Sequence, residues 1–238
     1  MKSFDQLSVK VFADGADLDG MVAMAREPYI KGFTTNPTLM HKAGIKDYAA
    51  FAKAALIAIP DRPISFEVFS DEFDEMERQA REIATWGGNV YVKIPVTNTR
   101  GQFSGPLITR LTSAGVKVNV TALMTVAQVR DVCRCLKPGV PSCVSVFAGR
   151  VADTGRDPLP IMRESLTVLA AVGGAELIWA SPREFFNIFQ AAEIGCHIIT
   201  VTNDLLKKIP LTGKDLDVFS LETVEMFRRD ALAAGFRL

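Results

Sequence analysis

Short β-branched segments alternate with amphipathic segments along the chain of 238 residues, and this alternation restricts the possible folds more than any other feature. We predict eight strands, because each such segment is short, apolar and bounded by turn residues. They are Val9–Asp14, Phe33–Asn36, Ile64–Phe69, Val90–Pro95, Val116–Thr121, Cys143–Phe147, Leu177–Ser181 and His197–Thr202. Eight strand–helix units in succession predict a (β/α)8 (TIM) barrel.

Amphipathic runs between the strands predict the helices. Examples are Asp47–Ile59, Asp71–Trp86, Thr125–Leu136, Leu159–Val172 and Pro182–Ile194. The expected N-terminal caps are Ser70 or Asp71, Thr125, and Ser181 with Pro182 at the first helical position. Three glycines fall where helices should end, namely Gly115, Gly173 and Gly195.

The chain shows no linker or low-complexity segment, so we expect one domain over residues 1–238. A doubly wound open sheet is the alternative, but no G-x-G-x-x-G sequence follows the first strand. One segment exceeds the eight units. Leu216–Phe236 predicts an additional C-terminal helix, at about residues 215–238, that covers the barrel mouth, packs on its own barrel or docks on a neighbouring subunit.

Charge and composition exclude several classes of protein. The chain has 27 basic and 27 acidic residues, so it lacks the net positive charge expected for binding nucleic acid or an anionic membrane. The N-terminal segment lacks the apolar core of a signal peptide, and the four cysteines have no C-x-x-C spacing. We therefore expect a cytoplasmic protein with reduced thiols and, with only two histidines, no metal site of the usual zinc type.

The period-two rule for strands assigns Lys93 to the inside of the barrel. Val90, Val92, Ile94 and Val96 share one face of the fourth strand, which should pack on the helices. The same rule predicts that inward faces of the first seven strands carry Phe12, Asp14, Thr34, Asn36, Ser65, Glu67, Phe69, Asn119, Thr121, Ser145, Phe147, Trp179 and Ser181. Most are polar and lie near the C-terminal end of their strand, where barrel enzymes hold their active sites.

A lysine in this position suggests covalent chemistry. Burial in a low dielectric disfavours the ammonium form of a lysine, and a neutral amine can condense with a carbonyl to form a Schiff base. The alternative is a strand-end lysine that extends to water. Solvation of the barrel end explains serines and threonines, but it explains Asp14, Glu67 and Lys93 together less well, because buried charges need compensation.

Two arginines follow the sixth and seventh strands, Arg150 in Phe-Ala-Gly-Arg and Arg183 in Ala-Ser-Pro-Arg. With Ser181 and a helix beginning at Pro182, they predict an anion pocket, because guanidinium groups and helix N-termini both bind phosphate. The alternative is that both arginines are solvated in surface loops.

Several motifs resemble the transaldolase family, in its short type that also includes fructose-6-phosphate aldolases. The matching stretches keep the family's order over nearly the whole chain. They are Gly32–Leu39, Glu67 in Phe-Glu-Val, Val92–Pro95, Asn119–Leu123, Ser145–Arg150 and Ala180–Arg183.

This resemblance implies a role for each candidate residue. Lys93 would form the Schiff base with a ketose phosphate. Glu67 would move protons through a water held by Thr121, and Asp14 would take and return the proton at the breaking C–C bond. The implied substrate-binding residues are Asn36, Asn119, Ser145, Phe147, Arg150, Ser181 and Arg183. No metal or organic cofactor is implied, since the imine is the electron sink.

The resemblance also implies an activity and an assembly. Aldolases of the family typically carry glutamine at the position of Glu67 and tyrosine at that of Phe147, so this chain resembles the transaldolases of sugar metabolism, such as the pentose phosphate pathway. The alternatives are a fructose-6-phosphate aldolase and a barrel that only binds a sugar phosphate. Short members often form homo-oligomers, including decamers, through the C-terminal helix.

Overall fold

Eight parallel strands form a closed barrel in sequential order in the computed structural model, which describes residues 4–237. The predicted TIM barrel is confirmed, while the predicted domain limits at residues 1–3 and 238 lie outside the described residues. The strands are β1 (Lys10–Asp14), β2 (Ile30–Thr34), β3 (Ile64–Glu67), β4 (Val90–Pro95), β5 (Val118–Leu123), β6 (Ser142–Val146), β7 (Ala175–Trp179) and β8 (Ile198–Thr202).

The described helices are α1 (Leu18–Ala25), α2 (Pro37–Lys42), α3 (Tyr48–Ala58), α4 (Phe73–Ala84), α5 (Gly105–Ser113), α6 (Val126–Cys133), α7 (Ala148–Asp153), α8 (Leu159–Leu169), α9 (Asn187–Glu193), α10 (Asn203–Leu206) and α11 (Leu216–Ala233). Helices α1 to α9 lie in the connections between the strands, and α10 and α11 follow the last strand. Short 3-10 turns lie at Phe4–Gln6 and Ile209–Leu211.

The helix ends confirm some predicted signals and correct others. Thr125 forms a capping box with Gln128 at the start of α6. Gly115 and Gly195 take positive φ angles directly after the last turns of α5 and α9, as helix-ending glycines do.

The predicted caps Ser70 and Asp71 are wrong, because α4 begins after Glu72 without a side-chain cap. Gly173 is not a helix end either, since α8 ends at Leu169 and the positive φ lies at Gly174.

The aliphatic face of β4 lies in the main core between the barrel and its helices, together with the corresponding faces of the other strands. A smaller cluster fills the inside of the barrel. It consists of Phe12, Cys143, Ile178, Ala180 and Ile198, with Tyr91 and Phe147 packed against it. This apolar layer fills the barrel below the polar side chains at the C-terminal ends of the strands.

Two residues predicted to point inward do not. Trp179 is buried in the core under the helices, whereas its neighbours Ile178 and Ala180 lie inside the barrel. The stretch Leu-Ile-Trp-Ala lacks the alternation of polar and apolar residues that shows which face of a strand points inward. The predicted inward position in this stretch is therefore wrong by one residue. Phe69 is 64% exposed, because β3 ends at Glu67 and the period-two rule does not extend past the strand.

The predicted C-terminal helix is present as α11, but none of its residues is buried. Its exposed apolar side chains are Leu216, Val218, Phe219, Leu221, Val224, Met226, Phe227 and Leu232. The expected alternative of packing on its own barrel is therefore not observed, and self-association stays a prediction. None of the described helices combines the length and the apolarity that are needed to cross a lipid bilayer.

If α11 packs on a second copy of the chain, charges on its apolar face should disrupt the assembly. Phe219→Asp with Phe227→Asp should reduce the mass in solution to that of a 26.0 kDa monomer, measured by light scattering. The control Arg228→Asp changes a charge on the same helix and should leave the assembly intact. An unchanged mass in the double variant would contradict the prediction.

Candidate active site

A cavity of about 470 Å³ opens at the C-terminal ends of the strands. Nine of the eleven residues predicted for the site line it: Asp14, Asn36, Glu67, Lys93, Thr121, Ser145, Phe147, Arg150 and Ser181. Asn119 and Arg183 do not. The lining is completed by Thr34, Pro37, Thr38, Leu39, Ala122, Ala180 and Thr200.

Lys93 is 7% exposed, which is unusual for a lysine and requires partners for its amino group. The strand register sets Lys93 beside Glu67 on β3. The Lys93 Nζ lies 3.1 Å from the Glu67 Oε2 and donates a hydrogen bond of 2.8 Å to the backbone carbonyl of Thr35. The amine is thus held at the cavity wall by a carboxylate from the adjacent strand β3 and by a backbone carbonyl just after the end of β2.

The second carboxylate of the cavity is Asp14, at the end of β1. The Thr34 hydroxyl donates a hydrogen bond of 2.7 Å to the Asp14 Oδ1 and also contacts the Thr200 hydroxyl. Burial raises the pKa of Asp14 above 3.8, although the positive charge of Lys93 and the bond from Thr34 both act to lower it. Asp14 is therefore a carboxyl group whose proton is held more tightly than usual, which suits a group that exchanges protons with a substrate.

Thr121 presents a hydroxyl with unused hydrogen-bonding capacity. Its Oγ1 is buried and has no partner among the described residues, although Thr121 lines the cavity. The chain bulges just after it, where Ala122 takes a φ of 66° and the pairing of β5 with β6 shifts register. A buried hydroxyl without a protein partner is suited to hold a water molecule or a substrate oxygen.

The two asparagines hold different positions. Asn36 lines the cavity and caps α2, because its side-chain oxygen accepts a hydrogen bond from the Leu39 N–H. Asn119 lies behind the lining, fully buried between Ser65 and Ser145. It donates to the Ser65 Oγ at 3.1 Å and accepts from the Ser145 Oγ at 2.7 Å, so it orients Ser145 at the cavity wall.

The predicted anion pocket is altered in two respects. No helix begins at Pro182, because Ser181 takes a φ of 58° and α9 starts only at Asn187. Arg150 lies within the short helix α7 rather than in a loop, with its guanidinium 5.6 Å from the centre of the Phe147 ring. The prediction that N–H groups of a helix after Ser181 form part of the anion pocket is therefore wrong. Arg150 supplies the guanidinium group that lines the cavity.

Arg183 does not line the cavity and pairs with Asp153 at the end of α7. Its Nε lies 3.0 Å from the Asp153 Oδ1 and its Nη2 contacts the second carboxylate oxygen. The pairing holds the pKa of Asp153 below its usual value. A Cβ atom on Gly149 would lie 1.5 Å from the Ser181 carbonyl oxygen, so the approach of α7 to Ser181 requires glycine at this position.

Sequence reasoning missed some residues of the site. Thr200 lies on the inward face of β8, and the alternation of side chains along that strand is a signal for this position. Tyr48 binds the backbone of Glu67 from α3, and no sequence pattern signals such a contact.

Comparisons with known proteins identify relatives of this chain. The family model described as Transaldolase/Fructose-6-phosphate aldolase matches residues 11–237. "Probable transaldolase 2" of Listeria monocytogenes is 35% identical over 89% of this chain and 94% of that protein. "Probable transaldolase" of Streptococcus agalactiae is 34% identical over 89% of this chain and 95% of that protein.

Among solved structures, an HpcH/Hpal aldolase/citrate lyase family protein from Burkholderia cenocepacia has a TM-score of 0.60. It covers 92% of this chain and 95% of its own at 15% identity, so this similarity concerns the fold alone.

The raised pKa of Asp14 predicts that the stability of the fold depends on pH. The native state binds this proton more tightly than the unfolded state, so ionisation of Asp14 lowers stability as the pH rises from below 3.8 through the raised native value. Asp14→Asn removes that loss. The melting temperature of the variant relative to the wild type should therefore be higher at about pH 7 than at about pH 4.

Asp61→Asn is the control, because the side chain of Asp61 is 71% exposed. A difference between Asp14→Asn and wild type that does not change with pH would show that burial of the carboxylate is not a destabilising factor.

Proposed function

The chain belongs to the transaldolase/fructose-6-phosphate aldolase family, and we propose that it is a transaldolase that moves a dihydroxyacetone unit from a ketose phosphate, such as fructose 6-phosphate, to an aldose phosphate. The observation that carries the proposal is the buried Lys93 amine, 3.1 Å from Glu67, in a cavity that Asp14 also lines. One amine nucleophile beside two carboxyl groups that can transfer protons is an arrangement suited to Schiff-base chemistry.

In the first half of the reaction the Lys93 amine adds to the ketose carbonyl, and loss of water gives a protonated imine. Glu67 is within reach of Lys93 and would carry the protons that these steps need, through a water bound by the Thr121 hydroxyl. The 3.1 Å contact in the free protein supports a role for Glu67 as acceptor of the proton that Lys93 must lose to become nucleophilic.

In the second half the C–C bond breaks. Asp14 takes the proton from the hydroxyl beside that bond, the bonding electrons move into the imine to give an enamine, and an aldose phosphate leaves. The enamine then attacks the acceptor aldehyde, Asp14 returns the proton to the new hydroxyl, and water hydrolyses the imine. Asp14 thus takes one proton and returns one proton in each cycle, and its raised pKa suits a group that does both.

Substrate binding follows from the lining of the cavity. Arg150 supplies the positive charge for a phosphate group, with the Ser181 hydroxyl close by in the wall. Asn36 and Ser145 supply groups that bind sugar hydroxyls. We propose that Arg183 acts on the phosphate through α7, which it holds by pairing with Asp153.

The second candidate is a fructose-6-phosphate aldolase, which would release free dihydroxyacetone. The carboxylate of Glu67 and the missing hydroxyl at Phe147 favour the transaldolase, because the aldolases that the motifs resemble carry glutamine and tyrosine there. Release of dihydroxyacetone from fructose 6-phosphate without an acceptor aldose would favour the aldolase. A barrel that only binds sugar phosphate would show neither activity.

The Schiff base can be tested by reduction. Borohydride added with fructose 6-phosphate should attach the donor irreversibly to Lys93, located by peptide mass spectrometry. Lys93→Ala should lose the adduct and lower kcat by on the order of 10⁴-fold or more. The control Lys117→Ala removes a lysine that binds the Gly88 carbonyl outside the site and should keep both properties. An unmodified Lys93 in active protein would contradict the proposal.

The phosphate site predicts a difference between the two arginines. Arg150→Ala should raise KM for fructose 6-phosphate about 10- to 100-fold with a small change in kcat, since phosphate binding is shared by the ground and transition states. Arg183→Ala should have a smaller effect, because Arg183 does not line the cavity. With unphosphorylated fructose both effects should disappear. A larger effect for Arg183→Ala would show that Arg183 leaves Asp153 to bind the substrate.

A further inference from the structure

We infer that Tyr48 is a positioning residue that fixes the end of β3, and with it the carboxylate of Glu67, through a hydroxyl that takes the place of the pairing that β2 does not provide at Glu67. This inference rests on the proposed function, in which Glu67 transfers protons during formation and hydrolysis of the imine.

The Tyr48 hydroxyl binds both backbone groups of Glu67. The Tyr48 hydroxyl accepts a hydrogen bond of 2.7 Å from the Glu67 N–H and donates one of 2.8 Å to the Glu67 carbonyl. Tyr48 itself does not line the cavity. Its ring is held among aromatic side chains, with ring centres 6.4 Å from Phe66, 5.9 Å from Trp86 and 5.5 Å from Phe69.

The pairing of β2 with β3 explains why Glu67 needs such a partner. Phe33 pairs with Ile64 and Thr34 with Ser65, and the Thr35 N–H still donates to the Ser65 carbonyl. The parallel ladder would continue from the Glu67 N–H to the Thr35 carbonyl. That carbonyl accepts from the Lys93 Nζ instead, and the chain turns into α2 at Pro37.

One phenolic hydroxyl thus replaces the next rung of the ladder. Burial raises the pKa of Tyr48, so the hydroxyl keeps the proton that it donates to the Glu67 carbonyl. The two hydrogen bonds fix the backbone of Glu67, the last residue of β3. Its carboxylate therefore stays next to Lys93, although no residue of β2 pairs with Glu67. The Thr35 carbonyl remains available to the Lys93 amine.

Tyr48→Phe tests this role, because it keeps the ring and removes the hydroxyl. The rate of Lys93 modification by borohydride in single turnovers, which measures imine formation, should fall by about 10- to 100-fold, the scale of misplacing a catalytic group. kcat should fall with it, while KM for the sugar phosphate stays close to the wild-type value. Tyr91→Phe is the matched control, since Tyr91 is half-buried on β4 but does not line the cavity.

A double-mutant cycle separates positioning from general destabilisation. If Tyr48 acts through Glu67, adding Tyr48→Phe to Glu67→Ala should lower the trapping rate by less than about twofold further, because no carboxylate remains to be positioned. An equal loss in both backgrounds would overturn the inference, and so would a trapping rate in Tyr48→Phe equal to that of Tyr91→Phe. A lowered melting temperature alone, with a normal trapping rate, would also overturn it.

The outcomes distinguish this inference from the proposed function. If wild-type protein forms no adduct on Lys93, the Schiff-base mechanism fails and Tyr48 is not at issue. If wild-type protein forms the adduct and Tyr48→Phe forms it equally fast, the mechanism stands and the positioning role is wrong.

Discussion

The contact between Lys93 and Glu67 inside the barrel is the interaction on which the proposed chemistry of this site depends. A lysine that is 7% exposed needs compensation, and here a carboxylate at 3.1 Å and the Thr35 carbonyl at 2.8 Å provide it. The parallel register of β3 and β4 sets the two side chains beside each other, so the pair follows from the barrel topology. The arrangement also places the proposed nucleophile beside its proposed proton acceptor in the free protein.

Two groups of the site lower the stability of the fold, and the packing around them offsets that loss. The raised pKa of Asp14 shows that its charged form is disfavoured where it lies, and the Thr121 hydroxyl is buried without a partner among the described residues. Below them, the apolar layer around Phe12 and Ile178 packs the inside of the barrel. Around the barrel, the main core buries the aliphatic faces of all eight strands. A rigid scaffold can therefore hold groups that would be unfavourable in a smaller core.

Much of this arrangement could be predicted from the sequence, because two regular periods govern it. The strand–helix alternation determined the barrel, and the period of two determined which face of β4 carries Lys93. The prediction failed where the chain leaves regular geometry. The helix predicted to begin at Pro182 is absent where Ser181 takes a positive φ angle. The inward face of β7 was predicted incorrectly at Trp179, in a strand without polar contrast. The contact of Tyr48 with Glu67 depends on where α3 packs, and the pairing of Arg183 with Asp153 depends on the position of α7, which no local pattern encodes.

The central claim is that the Lys93 nitrogen exchanges its contact with Glu67 for a covalent bond to the donor sugar. A crystal structure of the protein soaked with fructose 6-phosphate, without acceptor or reductant, tests this most directly. We expect continuous electron density from the Lys93 Nζ to the former carbonyl carbon, with Asp14 at hydrogen-bond distance from a hydroxyl of the bound sugar. A sugar phosphate bound in the cavity with its carbonyl intact, and Lys93 still paired with Glu67, would contradict it.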